Sequence, residues 1–599
     1  MFKDFKMKTN EKDDFFELLK KCGPLEYDNG YFEVTETGLF YVKKNKDTEH
    51  TKFISSPILV LAKTRDDRSV AWGRLLKWID DSDVIHTLAI STQNFQTDGA
   101  ELRKILSDQG VTIAIGANER KLFLTYLANY PIKKFALCVN KVGWHGDQYI
   151  LPNNVIGSNK LNELVVYQTN DLIQDKYKRK GTLEEWQENI AKKAEAHKFL
   201  VLAICVAFAG SLLNPLKQNG AIIHNKSKSS KGKTTSLYVS ASVWGNPIDY
   251  YQTWRSTSNA LEQAAFSHND GILILDEISE ISNPSELGNI IYMLINGNGK
   301  GRLTKSISLR DINKWQLMVL SSGEKSLSEL MQEVGQKTKL GQEIRLINID
   351  LDSSPHGIFD SINFEDNAAQ QAMLLNKNLK LYYGTAGIEW LNYLTSDFQK
   401  RLSEAQSLFD EYSKLLIADY KEGHIIRVAN SFALIAVAGE LATQAKITSW
   451  QSGTAFNAVK NVFTEWYDNF DQKSGYEDKE ILEHIKSFFA THGSSRFESL
   501  EQNFCNPITG NEINIKTTNR VGYWKDSSDG KRYFVYPELF KKEMCIGFNH
   551  RQVSKLLRDY GWLDHDDGRS TKSIRLPHLS STTRMMIFKE AEMSKFSID

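Results

Sequence analysis

AIIHNKSKSSKGKTTSLYVSASV, residues Ala221 to Val243, decides the fold. It reads as a short buried strand, a loop of small residues and lysines, and then a helix. The loop ends Gly232-Lys233-Thr234, the second half of the phosphate-binding pattern G-x-x-x-x-G-K-S/T. Successive backbone N–H groups of such a loop wrap an anionic phosphate, and the following helix points its positive dipole end at it. The expected cradle is Ser229, Ser230, Lys231, Gly232, Lys233, Thr234 and Thr235. Lys233 would reach the β- and γ-phosphates of ATP, and the Thr234 hydroxyl would ligate Mg²⁺. One position departs from the pattern: its first glycine would fall at 227, where the chain has Ser227. Serine would weaken binding if that position needed a positive φ or a very close phosphate approach.

Downstream, apolar runs alternate with helical stretches, the pattern of an α/β domain with a mainly parallel sheet. Gly271–Leu275 (GILIL) ends in Asp276-Glu277, Trp315–Leu320 (WQLMVL) ends in Ser321-Ser322-Gly323, and Leu346–Leu351 (LINIDL) is a third run. Buried parallel strands look like this, apolar throughout and polar at the carboxyl end, where ligands sit. Asp276 would accept from Mg²⁺-bound water and so share the metal with Thr234. Glu277 would polarise the water that attacks the γ-phosphate. Ser322, with Ser321 and Glu324 beside it, follows the strand that should face that phosphate. Arg345 precedes the last strand; aimed at a neighbouring subunit's site it would be an arginine finger, and otherwise it is a surface ion-pair partner. Between the strands, Asn296–Gly299 signals a turn, and Lys300, Arg302, Lys305 and Arg310 follow it. A basic hairpin there would track a nucleic-acid backbone.

The chain of 599 residues suggests several domains. Lys plus Arg equal Asp plus Glu at 74 each, so nucleic acid must be met by local patches rather than by a wholly basic surface. The five cysteines lie far apart with no C-x-x-C, which points to neither a zinc ribbon nor a disulfide framework and suits a reducing, cytoplasmic setting. The start is charged and lacks a signal-peptide core. The longest apolar run, Phe199–Leu213, is too short to span a membrane and reads as a buried helix.

Residues 1–165 read as a strand-rich α+β domain. A hairpin is expected at Tyr31–Lys43, with strands at Ile58–Lys63, Ser69–Trp72, Val84–Ser91 and Val111–Ile115, and helices at Ala100–Ser107 and Asn118–Ala128. Gly143–Gly157 reads as a hairpin and turn. His86 and His145 read as ordinary structural histidines. Residues 166–352 are the α/β core with a leading helical stretch over Thr182–Leu213, and 353–475 are helical. In 476–599, Pro537–Met544 and Asn549–Tyr560 are helices, and His565–Pro577 a two-stranded wing, the outline of a winged helix.

The segments SKSSKGKTTSLYVSASVWGNP, TWRSTSNALEQAAFSHND, LDEISEI, INGNGKGR, LSSGE and GQEIRLINI, in that order, resemble the DUF927 family over roughly residues 140–450. That family resembles the AAA+ helicases carried by mobile elements such as staphylococcal cassette chromosomes, and is similar to MCM-type replicative helicases. The resemblance implies an AAA+ P-loop NTPase core with a helical lid, in which Lys233 and Thr234 match Walker A, Asp276 and Glu277 match Walker B, Ser322 sensor 1 and Arg345 an arginine finger. Arg427, opening a lid helix, would be sensor 2. It implies an ATP- and Mg²⁺-dependent DNA helicase working as a ring, expected to be a hexamer. Single-stranded DNA would pass the pore loop of Lys300, Arg302 and Lys305. Duplex would meet the winged helix through Arg551, Lys555, Arg558, Arg569, Lys572 and Arg575, and a primase or polymerase is the kind of partner such an enzyme serves. Two other readings stay open: a nucleotide-switched assembly or remodelling ATPase, for example a defence sensor, that binds nucleic acid without unwinding it; and a degenerate P-loop protein that does not hydrolyse.

Overall fold

The computed structural model describes residues 9–44, 48–158, 164–168, 176–301, 312–418, 420–501, 504–505, 512–513, 517, 519–566, 569–575 and 582–595. They fall into two units, Met1–Trp466 and Tyr467–Asp599.

In the first unit the Tyr31–Lys43 hairpin is present: Gly30–Thr35 pairs antiparallel with Gly38–Lys44. Leu25–Tyr27 and Glu49–Ser55 complete a four-stranded sheet. A five-stranded sheet has the order Leu164–Tyr167, Phe135–Val139, Ile58–Arg65, Gly73–Ile79, Ile85–Ser91. Helices Ala100–Asp108 and Ala117–Asn129 bury Leu102, Leu106, Phe123 and Leu127 in one core with Phe32, Ile54, Ile58 and Trp78. Two expected strands fail here. Ser69–Trp72 is a turn, with Ser69 and Ala71 at φ 59° and 54°. The strand is the next segment, Gly73–Ile79. Leu75 and Leu76 are buried in separate clusters, which hides the alternation that would mark a strand. Val111–Ile115 supplies one bridge, Ile113 to Ser55. Gly143–His145, Gln148–Leu151 and Asn154–Ile156 form a three-stranded antiparallel sheet.

The middle of the chain forms a parallel sheet from β1 (Ile222–Lys226), β2 (Gln252–Thr253), β3 (Gly271–Asp276), β4 (Leu317–Gly323) and β5 (Leu346–Asp350), in the order β2-β3-β4-β1-β5. Helices α1 (Lys233–Ala241), α2 (Ser258–Ser267) and α3 (Leu287–Asn296) follow β1, β2 and β3. The apolar helix Lys198–Ala209 packs on β3, β4 and α1, and every residue from Phe199 to Ala209 is buried. It is separate from its charged leader. Thr182 and Glu185 form a capping box on a short helix, and the chain breaks at His197, whose ring meets Asn363 (3.1 Å) and the Asp360 N–H (3.2 Å). Among the described residues one helix, Gly423–Gln444, is long and apolar enough to cross a membrane; 78% of its most apolar window is buried, and it packs on Lys198–Ala209. An apolar surface all round is what a central helix requires.

The second unit is built on a sheet ordered Phe497–Ser499, Gly522–Ser527, Gly530–Val535, Thr582–Lys589, Leu563–Asp564, with Lys572–Arg575 also paired to Thr582–Lys589. Helix His550–Asp559 is capped by Asn549, whose side chain accepts the Arg551 N–H at 2.9 Å. It buries Val553, Leu556 and Leu557. The hairpin expected within His565–Pro577 is corrected by the pairing: Lys572–Arg575 finds its partner beyond that stretch, in Thr582–Lys589.

Gly210 ends the apolar helix against the start of β3, and a methyl there would lie 2.0 Å from the Gly271 carbonyl oxygen. Backbone cannot swing aside as a side chain does. Gly210→Ala is therefore expected to cost about 1–3 kcal/mol, read as a lower urea midpoint at unchanged slope.

Candidate active site at the carboxyl edge of the central sheet

The loop between β1 and α1 is held from several sides. Its left-handed residues are Ser230 (φ 65°) and Gly232 (φ 87°), and Ser227 is not among the positive-φ positions. Ser227 is buried; its N–H donates to the Gly323 carbonyl at 3.2 Å, at the end of β4. The serine at 227 is thus accommodated without left-handed backbone. The Lys233 ammonium curls back onto the carbonyls of Ser227 (2.7 Å) and Lys228 (3.0 Å). On the outer side the Ile358 N–H donates to the Lys231 carbonyl at 3.1 Å, and a Cβ on Gly232 would lie 2.7 Å from the Ile358 side chain. The Ser229 hydroxyl donates to Glu324, just past β4. Thr235 is turned elsewhere: its hydroxyl accepts from Asn376 Nδ2 at 3.1 Å.

Asp276, at the end of β3, receives two hydroxyls. Thr234 Oγ1 donates to Oδ2 at 3.3 Å, and Ser322 donates to Oδ1. Ser322 in turn accepts the Glu277 backbone N–H at 3.2 Å. Glu277 itself is left-handed, φ 53° and ψ 80°, a conformation that costs a non-glycine residue about 1–3 kcal/mol and is found where a side chain must be aimed. Lys233, Thr234, Asp276, Glu277 and Ser322 therefore converge from β1, β3 and β4 on one edge. Thr234 and Asp276 offer hard oxygen donors suited to a small divalent cation that takes its remaining ligands from phosphate and water. Among the described residues no group of three or more His, Cys, Asp and Glu could hold a metal.

Behind this edge lies a directional chain. The Trp254 indole N–H donates to Ser321 Oγ (2.9 Å), Ser321 meets His224 Nδ1 (2.9 Å), and His224 Nε2 meets the Lys325 carbonyl (3.2 Å). The carbonyl only accepts, so Nε2 carries the proton and Nδ1 accepts from Ser321. Burial, with the Lys226 and Lys233 charges adding to it, pushes His224 down to about 4 and keeps it neutral. Trp254 also donates its backbone N–H to the Asp276 carbonyl at 3.0 Å. In the sequence TWRST stood out only as part of the family resemblance; the fold supplies its partners.

The two arginines are elsewhere. The Ile222 N–H donates to the Arg345 carbonyl at 2.8 Å, which puts Arg345 at the amino edge of the sheet, the far end of β1 from the loop. Its guanidinium donates to the Gly341 carbonyl (2.7 Å) and Asn296 Oδ1 (3.2 Å) and lies over the Tyr292 ring at 4.8 Å. Arg427, expected at the nucleotide as sensor 2, is not brought to its own loop. It lines a cleft with Gln218, Asn219, Asn430 and Ser431, and burial, then the Arg345 charge, lower its pKa against a smaller opposing effect of Tyr292. The turn carrying Gln218 and Asn219 precedes β1, so this cleft belongs to the amino edge. Lys300 is described, and its N–H donates to Glu262 Oε2 at 3.3 Å. Arg302, Lys305 and Arg310 lie outside the described residues. In the second unit Arg551, Lys555, Arg569 and Arg575 are exposed, whereas the Lys572 ammonium is taken by Asp564 (2.7 Å) and Asp566 (3.6 Å).

Residues 32–314 match the model of DUF927, a domain of unknown function. The motifs place that resemblance at roughly 140–450; the family model instead takes in the N-terminal sheets and stops just before β4. No curated protein matches the chain. The chain is similar to a solved structure described as "SCCmec type IV Cch - active helicase", with 17% identity, a TM-score of 0.64, and 95% of this chain and 99% of that one covered. At that identity the likeness establishes a shared fold, mixed α/β with a strand-rich N-terminal region. The C-terminal region of NrS-1, in its apo A form, aligns over 65% of this chain and 92% of its own at 8% identity and a TM-score of 0.24. That score is too low to equate the folds.

His224 and His268 are both buried and held neutral, at about 4 and about 3. In the unfolded chain each takes a proton near pH 6.5, so stability is full above that pH and falls as the pH drops toward 4. Each histidine should contribute about 1.4 kcal/mol per pH unit to that slope. Urea midpoints between pH 7.5 and 5 are expected to show it, with a shallower slope in His224→Gln.

Proposed function

We propose that this chain is an ATP-dependent DNA helicase or translocase that works as a ring, expected to be a hexamer. The observation that carries the reading is the separation of charge across the sheet. Lys233, Thr234, Asp276, Glu277 and Ser322 gather at the carboxyl edge, and Arg345 and Arg427 lie close together at the amino edge. Among the described residues the hydrogen bonds of the first edge include no arginine, and one copy cannot bring both edges together. A neighbour in a closed ring can.

The order β2-β3-β4-β1-β5, with the loop after β1, the acids after β3 and a polar end on β4, supports an AAA+ core over 166–352. On this reading 353–475 is the lid, 1–165 a collar, and 476–599 a winged-helix domain. The core takes ATP with Mg²⁺, which screens phosphate charge and orients the γ-phosphate. Ser229 to Gly232 supply backbone N–H groups, and Lys233 leaves its two carbonyls for the phosphates. Thr234 and Asp276 hold the cation, the aspartate fixed by Ser322. Glu277 accepts the proton of the attacking water. Arg345 and Arg427 approach a neighbour's γ-phosphate and offset charge that develops there. Lys300, Arg302 and Lys305 follow the DNA backbone in the pore.

The test is strand displacement on forked DNA together with ATP turnover. Lys233→Ala should lose nucleotide binding. Arg345→Ala should keep it and lose turnover by about 10³-fold. Co-expressed in equal amounts, these two inactive variants should recover about a quarter of the turnover, because random neighbours restore that share of intact interfaces. No recovery would sink the split site, and turnover indifferent to every nucleic acid would leave the remodelling ATPase as the better account.

A further inference from the structure

TWRST-x-N and the helix after it have no role in the chemistry above, yet they touch both the acid strand and the basic loop. Trp254 is fully buried; its backbone is bonded to Asp276 and its indole to Ser321. Three residues on, the Thr257 hydroxyl accepts the Ala260 N–H at 3.3 Å and starts α2. Leu261 and Ala265 then pack in one core with Trp254, Leu294 and Trp315. Beside them Glu262 is 2% exposed.

A carboxylate is expensive to bury unless donors meet it, and a residue that only packed would be apolar here. Glu262 Oε2 accepts the Lys300 N–H at 3.3 Å, and a Cβ on Gly299 would lie 2.5 Å from Oε1. Both positions belong to the root of the basic loop. That root is closed by Gly299 N–H to the Asn313 carbonyl (2.8 Å), Trp315 N–H to the Gly297 carbonyl (3.0 Å) and the Asn298–Lys314 bridge. One short stretch, Trp254 to Glu262, therefore connects the strand end that bears Asp276 to the point where the basic loop leaves the fold.

We propose that Glu262 is a positioning residue that ties the basic loop to α2, so that the loop's contact with DNA is felt at Asp276 and Ser321 through Trp254. The proposal rests on the reading that the carboxyl edge turns over ATP and the loop meets DNA. Glu262 touches neither, so its loss should separate the two activities.

The experiment measures ATP turnover of the full chain with and without a thirty-nucleotide oligo-dT. Glu262→Ala is expected to keep DNA-free turnover within about twofold and KM for ATP unchanged, while the oligonucleotide needed for half-stimulation rises about tenfold, the worth of one hydrogen bond to a charged group. Glu262→Gln keeps an acceptor oxygen and should retain most of the stimulation. Gly299→Ala crowds the same carboxylate from the loop side without touching the core, and should reproduce Glu262→Ala even if that variant folds poorly. Wild-type stimulation in Gly299→Ala, a glutamine variant as defective as alanine, or an equal fall of basal and stimulated turnover in Gly299→Ala would each overturn the assignment. A wild-type chain that ignores DNA overturns instead the reading on which the proposal rests.

Discussion

Strands β1, β3 and β4 are buried on both faces, so they can present polar side chains only at their ends. Everything chemical in the first unit follows from that constraint. The helix Lys198–Ala209, buried from Phe199 onward, packs on β3 and β4 and brings no charged side chain to that face from Phe199 to Ala209. The polar residues at the carboxyl ends meet because parallel strands in register deliver them to one line: His224 pairs with Ser321 and Asn225 with Ser322. Asp276 extends one residue past the β3–β4 ladder to reach the hydroxyl of Ser322.

Within that line, hydrogen bonds assign distinct tasks to adjacent residues. Ser321 looks inward, toward His224 and Trp254; Ser322 looks outward, toward Asp276 and Glu277. Asp276 is restrained by two hydroxyls, whereas Glu277 is aimed by a strained backbone. A carboxylate meant to hold a cation needs fixed oxygens, and one meant to handle a proton needs direction and solvent. On the proposed reading the two neighbours differ in the ways those tasks require.

The strand–loop–helix reading of Ala221–Val243 and the strands ending in Asp276 and Ser322 were legible because fully buried parallel strands leave uninterrupted aliphatic runs. Other features were not. Gly73–Ile79 hides because both of its faces are covered, which removes alternation. Ser69–Trp72 mimics a strand because valine and tryptophan there serve a surface turn. The Lys572–Arg575 partner was not legible because it lies beyond the stretch read as a hairpin, in Thr582–Lys589. Ser227 looked like a defect only because the pattern assigns glycine to it; the loop places its left-handed turns at Ser230 and Gly232. Arg427 shows the limit of reading roles by order along a chain. Helix Gly423–Gln444 starts near the turn that precedes β1, and so its one arginine, Arg427, lies near Arg345 rather than Lys233.

Lys233 resting on the carbonyls of Ser227 and Lys228 gives the loop a threshold. The ammonium already has two good acceptors, so a singly charged anion gains little by drawing it away. A polyphosphate brings several oxygens and more than one negative charge, and so would compete with both carbonyls at once. On the proposed reading, chloride or a lone carboxylate would leave the lysine where it rests. Its release would then be a counting step, in which the charge of the visitor decides whether the lysine leaves its carbonyls.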